Sequence, residues 1–317
     1  MASRKTILTL LLAVMCLWGK AQKVVFAPQY TPQAQFAGYY VAKARNFYYD
    51  EGLDVVIRHI GVGTKETSAD LLIDGQADIA GQQLFQSILL CDKGTPVVNV
   101  MQLTQRIGLC CVTRKPIKSV KDLDGMKIGK WVNGYSEICE TLEKAENIDI
   151  EWVPAFNPVN LYAYGAVDGI LVYSYNELIQ LDQAVGGIDN ENVFVFADQP
   201  SLDIPEDGLY VTEDYYLKNR ETVEKFVRAT KKGWDYVREH PDEALEISLK
   251  VIRDNNIVTN RSKEKNMLEQ YLKLQINPAT GKPDYAQISE SELNKLISAM
   301  MANGAITENV EHKDFIR

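Results

Sequence analysis

Short apolar runs alternate with amphipathic stretches along most of this chain. The runs 23–26, 53–60, 96–103 and 108–112 are rich in β-branched residues and end at turn-forming residues, which predicts strands. The stretches 34–45 and 214–238 carry apolar residues at helical spacing, which predicts helices that cover those strands. Strands that alternate with helices predict an α/β fold.

The first strand ends in a polar, aromatic loop. Pro28 and Pro32 interrupt it, because proline cannot donate to a sheet ladder and restrains the residue before it. Tyr30 lies between them, and Gln35 and Tyr39 lie in the first two turns of the predicted helix that follows. Free backbone N–H groups and neutral side chains at such a strand–loop–helix junction suit a small polar ligand. An ordinary strand-to-helix turn is the alternative.

A second junction of this kind follows the predicted strand that ends at Gly129. Trp131 and Tyr135 precede a predicted helix over 137–146. Either aromatic ring offers a face on which a planar ligand could stack. The backbone N–H groups of 134–136 would suit an anion or a carbonyl. Packing in the core is the alternative role for Trp131.

Polar residues also follow other predicted strands. Gln82 and Gln83 come after a short strand, where open α/β sheets bind their ligands, although they would equally cap a helix. Asn176 and Glu177 follow a later strand and together supply donors and acceptors, with an N-cap as the competing role for Asn176. The candidate ligand-binding set comprises Tyr30, Gln35, Tyr39, Gln82, Gln83, Trp131, Tyr135, Tyr175, Asn176, Glu177 and Glu206.

The chain predicts two similar lobes around a central cleft. The turn Gly-x-x-Asp occurs at 75–78 and again at 165–168, each time before an apolar strand. The stretch 105–110 has strand-forming residues and few turn-forming ones, which predicts that the chain crosses there from one lobe to the other. We expect the chain to return at 206–210. We therefore expect lobe 1 to comprise 22–107 and 206–317, and lobe 2 to comprise 108–205.

Residues 1–21 have the pattern of a secretory signal peptide. Arg4 and Lys5 precede an apolar stretch at 7–18, and small residues indicate cleavage before Gln22. A membrane anchor is the alternative, but the apolar stretch is short for a hydrocarbon core of roughly 30 Å. Cys16 allows a lipoprotein, which the bulky Met15 before it disfavours. The sequence predicts an exported, periplasmic protein.

Charge and titratable residues narrow the chemistry. The formal net charge of −9 argues against a nucleic-acid partner. None of the three histidines pairs with a His or Cys at ligand spacing, so we expect neither a metal centre nor a cofactor. The cysteines after the leader lack CxxC spacing, which favours free thiols; a disulfide that involves Cys91 or Cys139 stays open, and the neighbours Cys110 and Cys111 lie in an apolar run.

Several segments carry a resemblance to a known family: Pro28-Gln29, 35–42, 46–48, 51–55, 119–129, Tyr175-Asn176-Glu177 and 231–244. The chain resembles substrate-binding proteins of the "no message in thiamine" family, which deliver thiamine pyrimidine precursors to ABC transporters. Their relatives bind alkanesulfonates, taurine or nitrate. The resemblance implies a type II periplasmic binding protein with two Rossmann-like lobes joined by two crossover strands.

The resemblance implies a function and leaves two alternatives for the ligand and the activity, while an exported sensor or structural domain without a transporter stays open as a third class. It implies that the chain binds a hydroxymethyl- or formylamino-pyrimidine by cleft closure and works with a permease and an ATPase. An anion of the sulfonate or nitrate type is one alternative, for which Arg106 is the nominated cation. The other is a pyrimidine synthase; the resemblance places Gln82 at its cofactor lysine and Gln86 at its consumed histidine. A glutamine side chain cannot do the chemistry of either residue, so we expect that the chain is not an enzyme.

Overall fold

The computed structural model describes residues 21–61, 64–132, 142–144, 146–199, 203–285, 287–302 and 304–317. Within them the strands form two five-stranded mixed sheets. The strands are β1 Gln22–Ala27, β2 Leu53–Ile57, β3 Ile79–Gln83, β4 Val97–Gln102, β5 Leu109–Thr113, β6 Lys127–Trp131, β7 Glu151–Ala155, β8 Gly169–Tyr173, β9 Val193–Val195 and β10 Asp207–Thr212.

Helices cover both sheets. They are α1 Ala37–Ala44, α2 Phe47–Asp50, α3 Ser68–Ile73, α4 Leu84–Asp92, α5 Pro158–Ala163, α6 Glu177–Val185, α7 Glu213–Glu239, α8 Pro241–Asp254, α9 Arg261–Leu274, α10 Glu290–Ala302 and α11 His312–Phe315. The predicted α/β class is confirmed. The predicted helix over 137–146 and the leader lie outside the residues just given, apart from Ala21, Leu142–Lys144 and Glu146.

The two sheets are built alike. The first has the order β2-β1-β3-β10-β4 and the second the order β7-β6-β8-β5-β9. The repeated Gly-x-x-Asp turn has the same structural role in both. Asp78 accepts a hydrogen bond from the backbone N–H of Val25 at 2.7 Å, and Asp168 accepts one from the backbone N–H of Lys127 at 2.9 Å. Each carboxylate thus ties the turn to the neighbouring parallel strand.

The first lobe is centred on Trp234, which is fully buried. Its indole lies against Gly38, where a Cβ atom would come within 2.3 Å of the ring. A Cβ on Gly233 would come within 2.2 Å of the Gly38 carbonyl oxygen, so both glycines let α1 and α7 cross in direct backbone contact. The Trp234 ring also lies 5.9 Å from Tyr39, which fills the core beneath the first loop.

The chain passes from the first sheet to the second between β4 and β5 and returns between β9 and β10. The two passages are hydrogen-bonded to each other. The Glu206 carboxylate accepts from the backbone N–H of Gly108 at 2.6 Å, and the Asp207 carbonyl accepts from the N–H of Leu103 at 2.8 Å. The Thr104 hydroxyl accepts from the Asp207 N–H at 2.8 Å. The exact lobe boundaries at 107/108 and 205/206 remain a prediction.

No helix in the described part of the chain is long and apolar enough to cross a membrane.

Candidate ligand-binding site

A cleft lies between the two sheets, and Tyr30 and Trp131 line every part of it described here. An outer cavity of about 470 Å³ reaches from the Tyr30 loop to Phe156. A base cavity of about 30 Å³ lies below it against Gln83 and Tyr173. A side chamber of about 100 Å³ extends between α6 and the start of α9. The outer cavity is large enough for a small organic molecule.

The loop after β1 forms the first-lobe wall. Its shape depends on His59, which follows β2: one ring nitrogen, Nδ1, is 2.9 Å from the carbonyl oxygen of Tyr30 and the other, Nε2, is 3.0 Å from the Tyr40 hydroxyl. Burial lowers the pKa of His59 to about 4, so the ring stays neutral at ordinary pH. With a neutral ring, Nδ1–H donates to Tyr30 and Nε2 accepts from Tyr40. His59 therefore positions the ligand-facing loop.

A row of aromatic rings forms the second-lobe wall and the cleft base. Trp131 stacks on Tyr173 with ring centroids 5.3 Å apart, and Tyr173 stacks on Tyr175 at 5.3 Å. Tyr175 meets Tyr271 of the first lobe edge-on at 5.2 Å. Tyr173 ends β8 and Tyr175 lies in the turn that follows, which brings the two rings to the same side. Stacked rings at the end of β6 and β8 suit a planar ligand.

Amide and phenol groups join the two lobes at the cleft base. Gln35 Nε2 donates to the Tyr175 hydroxyl at 3.3 Å and to Asp207 Oδ2 at 2.8 Å. Gln83 Nε2 donates to the Tyr173 hydroxyl and, at 3.2 Å, to Glu206 Oε1. Glutamines of the first lobe thus hold tyrosines of the second, which is the contact that lobe opening must break.

Two adjacent carboxyls, Glu206 and Asp207, are buried beneath this base. Burial and the Asp207 charge raise the pKa of Glu206 well above its usual range. Burial raises the pKa of Asp207 to about 6, although Tyr271 and Gln35 donate to its Oδ2. Asp207 Oδ1 is buried without a hydrogen-bond partner. Two like charges this close cannot both ionise without cost, so the pair holds a proton at mildly acidic pH.

Asn176 and Glu177 begin α6 and reach the cleft from the second lobe. Glu177 accepts from the Tyr173 N–H at 3.1 Å and from Asn176 Nδ2 at 2.7 Å. Burial raises the pKa of Glu177. Asn176 Oδ1 accepts from Gln180 Nε2 at 2.8 Å and makes no side-chain N-cap bond. Both residues therefore face the base cavity and the side chamber.

The start of α9 closes the side chamber. The buried Glu264 accepts from the Ala34 N–H at 2.7 Å and from the Thr259 hydroxyl at 2.6 Å. The Lys263 ammonium lies 3.3 Å from Glu264 Oε1. Gln33 and Gln180 complete the polar walls. The chamber is thus a polar recess next to the outer cavity.

The structure brings most of the predicted residues together at the cleft. Those that line its cavities are Tyr30, Gln35, Gln83, Trp131, Tyr175, Asn176 and Glu177. Glu206 lies directly behind Gln83. Tyr39 instead packs on Phe26 in the core, and Gln82 accepts from Ser87 behind the sheet, so neither side chain reaches the cleft. Tyr135 lies outside the described residues.

Other cleft residues were not in the predicted set. They include Gln29, Gln33, Phe156, Asn157, Tyr173, Gln180, Lys263 and Glu264. Tyr173 carried a usable signal, since it is the last residue of an apolar strand, and open α/β sheets bind ligands beyond the carboxyl ends of their strands. Lys263 and Glu264 carried no such sequence signal, because α9 reaches the cleft only through the tertiary fold.

Arg106 does not act as a cation in these cavities. Its guanidinium donates to Asp203 at 3.0 Å and to the Ala197 carbonyl, and it lies 3.7 Å from Asp198. Lys93 lines the outer cavity, and Lys263 lines the side chamber beside Glu264. The arginine nominated for an anionic ligand is therefore occupied by protein groups.

The thiols that the structure describes do not line this cleft. Cys91, Cys110 and Cys111 are free, and burial raises the pKa of Cys110 to about 12, whereas Cys139 lies outside the described residues. In the same described part, no cluster of three or more His, Cys, Asp or Glu side chains could hold a metal ion.

Comparisons with known proteins converge on one family. The profile of the NMT1/THI5-like family matches residues 33–244. A riboflavin-binding protein, RibY, of Chloroflexus aurantiacus is 30% identical over 73% of this chain and 67% of its own length. The 4-amino-5-hydroxymethyl-2-methylpyrimidine phosphate synthase of Candida albicans is 24% identical over 65% of this chain and 64% of its own length. The chain thus spans about two thirds of these relatives.

Solved structures agree on the fold. The periplasmic aliphatic sulphonate-binding protein SsuA of Escherichia coli superposes with a TM-score of 0.66 at 13% identity, and the match covers 92% of this chain and 96% of SsuA. At that identity the likeness concerns the fold alone.

Proposed function

Because the chain belongs to the NMT1/THI5-like family, we propose that it is the solute-binding component of an ABC-type importer and closes its two lobes on a planar, nitrogen-containing aromatic solute. The row of stacked rings from Trp131 to Tyr175 carries this proposal. It faces Tyr30 across the cleft, so closure would clamp a flat ring between aromatic faces.

Neutral hydrogen-bonding groups support a heteroaromatic ligand over an anion. The base offers the amides of Gln35, Gln83 and Asn176 and the carboxyl of Glu177. Such groups match the ring nitrogens and exocyclic groups of a heterocycle. A sulfonate or nitrate would need charge-assisted donors or a dedicated set of backbone N–H groups, and the Arg106 guanidinium is already bound to Asp203.

Two ligand classes fit this description. A thiamine pyrimidine precursor, hydroxymethyl- or formylamino-pyrimidine, matches the amides and carboxyl of the small base. A flavin of the riboflavin type is favoured by the outer cavity of about 470 Å³, which exceeds the needs of a single pyrimidine ring, and by the 30% identity to RibY. We place the chain outside the cytoplasm with a permease and an ATPase as partners.

A synthase activity is not proposed. The family resemblance implies that Gln82 and Gln86 stand where the enzyme has its lysine and histidine, and a glutamine amide cannot form an imine with a cofactor. Gln82 also lies behind the sheet and outside the cleft.

Isothermal titration of the purified protein tests the proposal. The panel consists of riboflavin, 4-amino-5-hydroxymethyl-2-methylpyrimidine, taurine and an alkanesulfonate. We expect binding of at least one of the two heteroaromatic compounds and loss of most of that affinity in Trp131→Leu. The matched control is Trp152→Leu, which removes an indole outside the cleft lining. Tight binding of a sulfonate with no response to either ring would refute the proposal.

A further inference from the structure

The side chamber adjoins the outer cavity. Tyr30, Thr31, Trp131, Phe156 and Asn157 line both the chamber and the outer cavity. A substituent on a ring that lies between the two lobes would therefore lie next to the chamber. The chamber volume of about 100 Å³ is several times what one water molecule needs. It has room for a short polar tail.

The chamber has hydrogen-bonding capacity left for such a tail. An ionised carboxylate offers about four acceptor positions. Glu177 uses three of them, for the Tyr173 N–H, for its own backbone N–H and for Asn176. Glu264 accepts from Ala34, Thr259 and Lys263. The acceptors that remain at both carboxyls suit a ligand hydroxyl or amine, which donates a hydrogen bond.

The charges in the chamber disfavour an anion. Its charged lining groups, among the residues described, are Glu177, Lys263 and Glu264. The Lys263 ammonium is paired with Glu264, which leaves Glu177 as the further ionisable group. Whether Glu177 is protonated or ionised, the three groups together give no net positive charge. A phosphate ester, with a charge of about −1.5 to −2 at pH 7, would meet no uncompensated cation there.

We infer that the solute places a hydrogen-bond-donating, unphosphorylated tail in this chamber, and that the site discriminates against the phosphate ester of the same solute. The inference rests on the proposed function and specifies its substrate class: the free vitamer or free alcohol, not the phosphorylated form.

Two matched ligand pairs test the inference on the unmodified protein. The pairs are riboflavin with riboflavin 5′-phosphate, and 4-amino-5-hydroxymethyl-2-methylpyrimidine with its phosphate ester. In whichever pair binds, we expect the phosphate ester to bind at least ~10-fold more weakly, a difference of about 1.4 kcal/mol. If the tail instead points outward past Lys93, the two members of a pair bind equally, or the ester binds more tightly, and the inference is overturned.

A charge variant locates the effect. Gln180→Lys adds a cation to the chamber wall, and Gln183→Lys adds the same charge on an exposed position of α6. We expect Gln180→Lys to reduce the discrimination against the ester and Gln183→Lys to leave it unchanged. An equal effect of both variants would contradict a role for the chamber. If neither ligand pair binds at all, the proposed function itself fails, and this inference with it.

Discussion

Replacement of Asp207 by Asn tests the buried carboxyl pair behind the cleft. Burial raises the pKa of Asp207 to about 6, against an ordinary value of about 3.9. A raised pKa means that the folded protein binds more protons than the unfolded chain between these two values. Asp207 therefore stabilises the fold fully below pH ~4, and this stabilisation is lost as the pH rises through about 6.

The size of the effect follows from the shift. The raised pKa corresponds to roughly 3 kcal/mol over the whole range, of which roughly 1 kcal/mol remains at pH 5 and almost none at pH 8. The amide side chain in Asp207→Asn does not titrate. Removal of the Asp207 charge also relieves the neighbouring Glu206, whose raised pKa contributes in the same direction. The free energy of unfolding of the variant should thus fall less between pH 5 and pH 8 than that of the wild type, by roughly 1 kcal/mol or more.

Urea unfolding at pH 5.0 and pH 8.0 gives the change in unfolding free energy between the two pH values, which is then compared between the variant and the wild type. A constant change in stability, such as the cost of an unpaired amide at the position of Oδ1, cancels between the two pH values. The matched control is Asp54→Asn, which changes an exposed carboxylate on β2. An unchanged pH dependence in Asp207→Asn, or one steeper than in the wild type, would refute the account of the carboxyl pair.

Three further substitutions give distinct outcomes. Trp131→Ala removes the ring shared by all three cavities and should weaken the ring ligand by about 1–3 kcal/mol in titration calorimetry carried out well below the variant's melting temperature, because loss of this buried ring also lowers stability; unchanged affinity would exclude stacking there. His59→Phe removes the hydrogen bond to the Tyr30 carbonyl and should weaken ligand binding about 5- to 10-fold, whereas His59→Asn should recover part of the lost affinity. Full affinity in both variants would mean that His59 does not position the loop for binding. Gly38→Ala places a methyl group within 2.3 Å of the Trp234 ring and should lower stability by about 1–3 kcal/mol in thermal unfolding; a neutral result would mean that the two helices separate freely.

The sequence predicted those features that depend on local pattern. Strand ends followed by polar residues pointed to Trp131, Asn176 and Gln83, and all three line the cleft. The repeated Gly-x-x-Asp turn predicted two similar lobes, because the same local chemistry ties Asp78 and Asp168 to a neighbouring strand.

Predictions that required side-chain direction or distant contacts fared less well. Gln82 and Gln83 are successive strand residues, so only one of them can face the cleft, and the sequence alone did not decide which. Tyr39 lies one helical turn after Gln35, yet its ring packs on Phe26 in the core and does not reach the cleft. Glu264 reaches the first loop from more than two hundred residues away, a contact that no local pattern encodes.

A structure of the protein in complex with its solute tests the central claim most directly. Crystals grown with riboflavin or with 4-amino-5-hydroxymethyl-2-methylpyrimidine would give the ligand position relative to Tyr30 and Trp131. We expect the ring plane to lie between these two side chains, with amide groups of the base within hydrogen-bonding distance. A ligand bound away from Trp131, or an anion held by Lys93 in the outer cavity, would contradict the account.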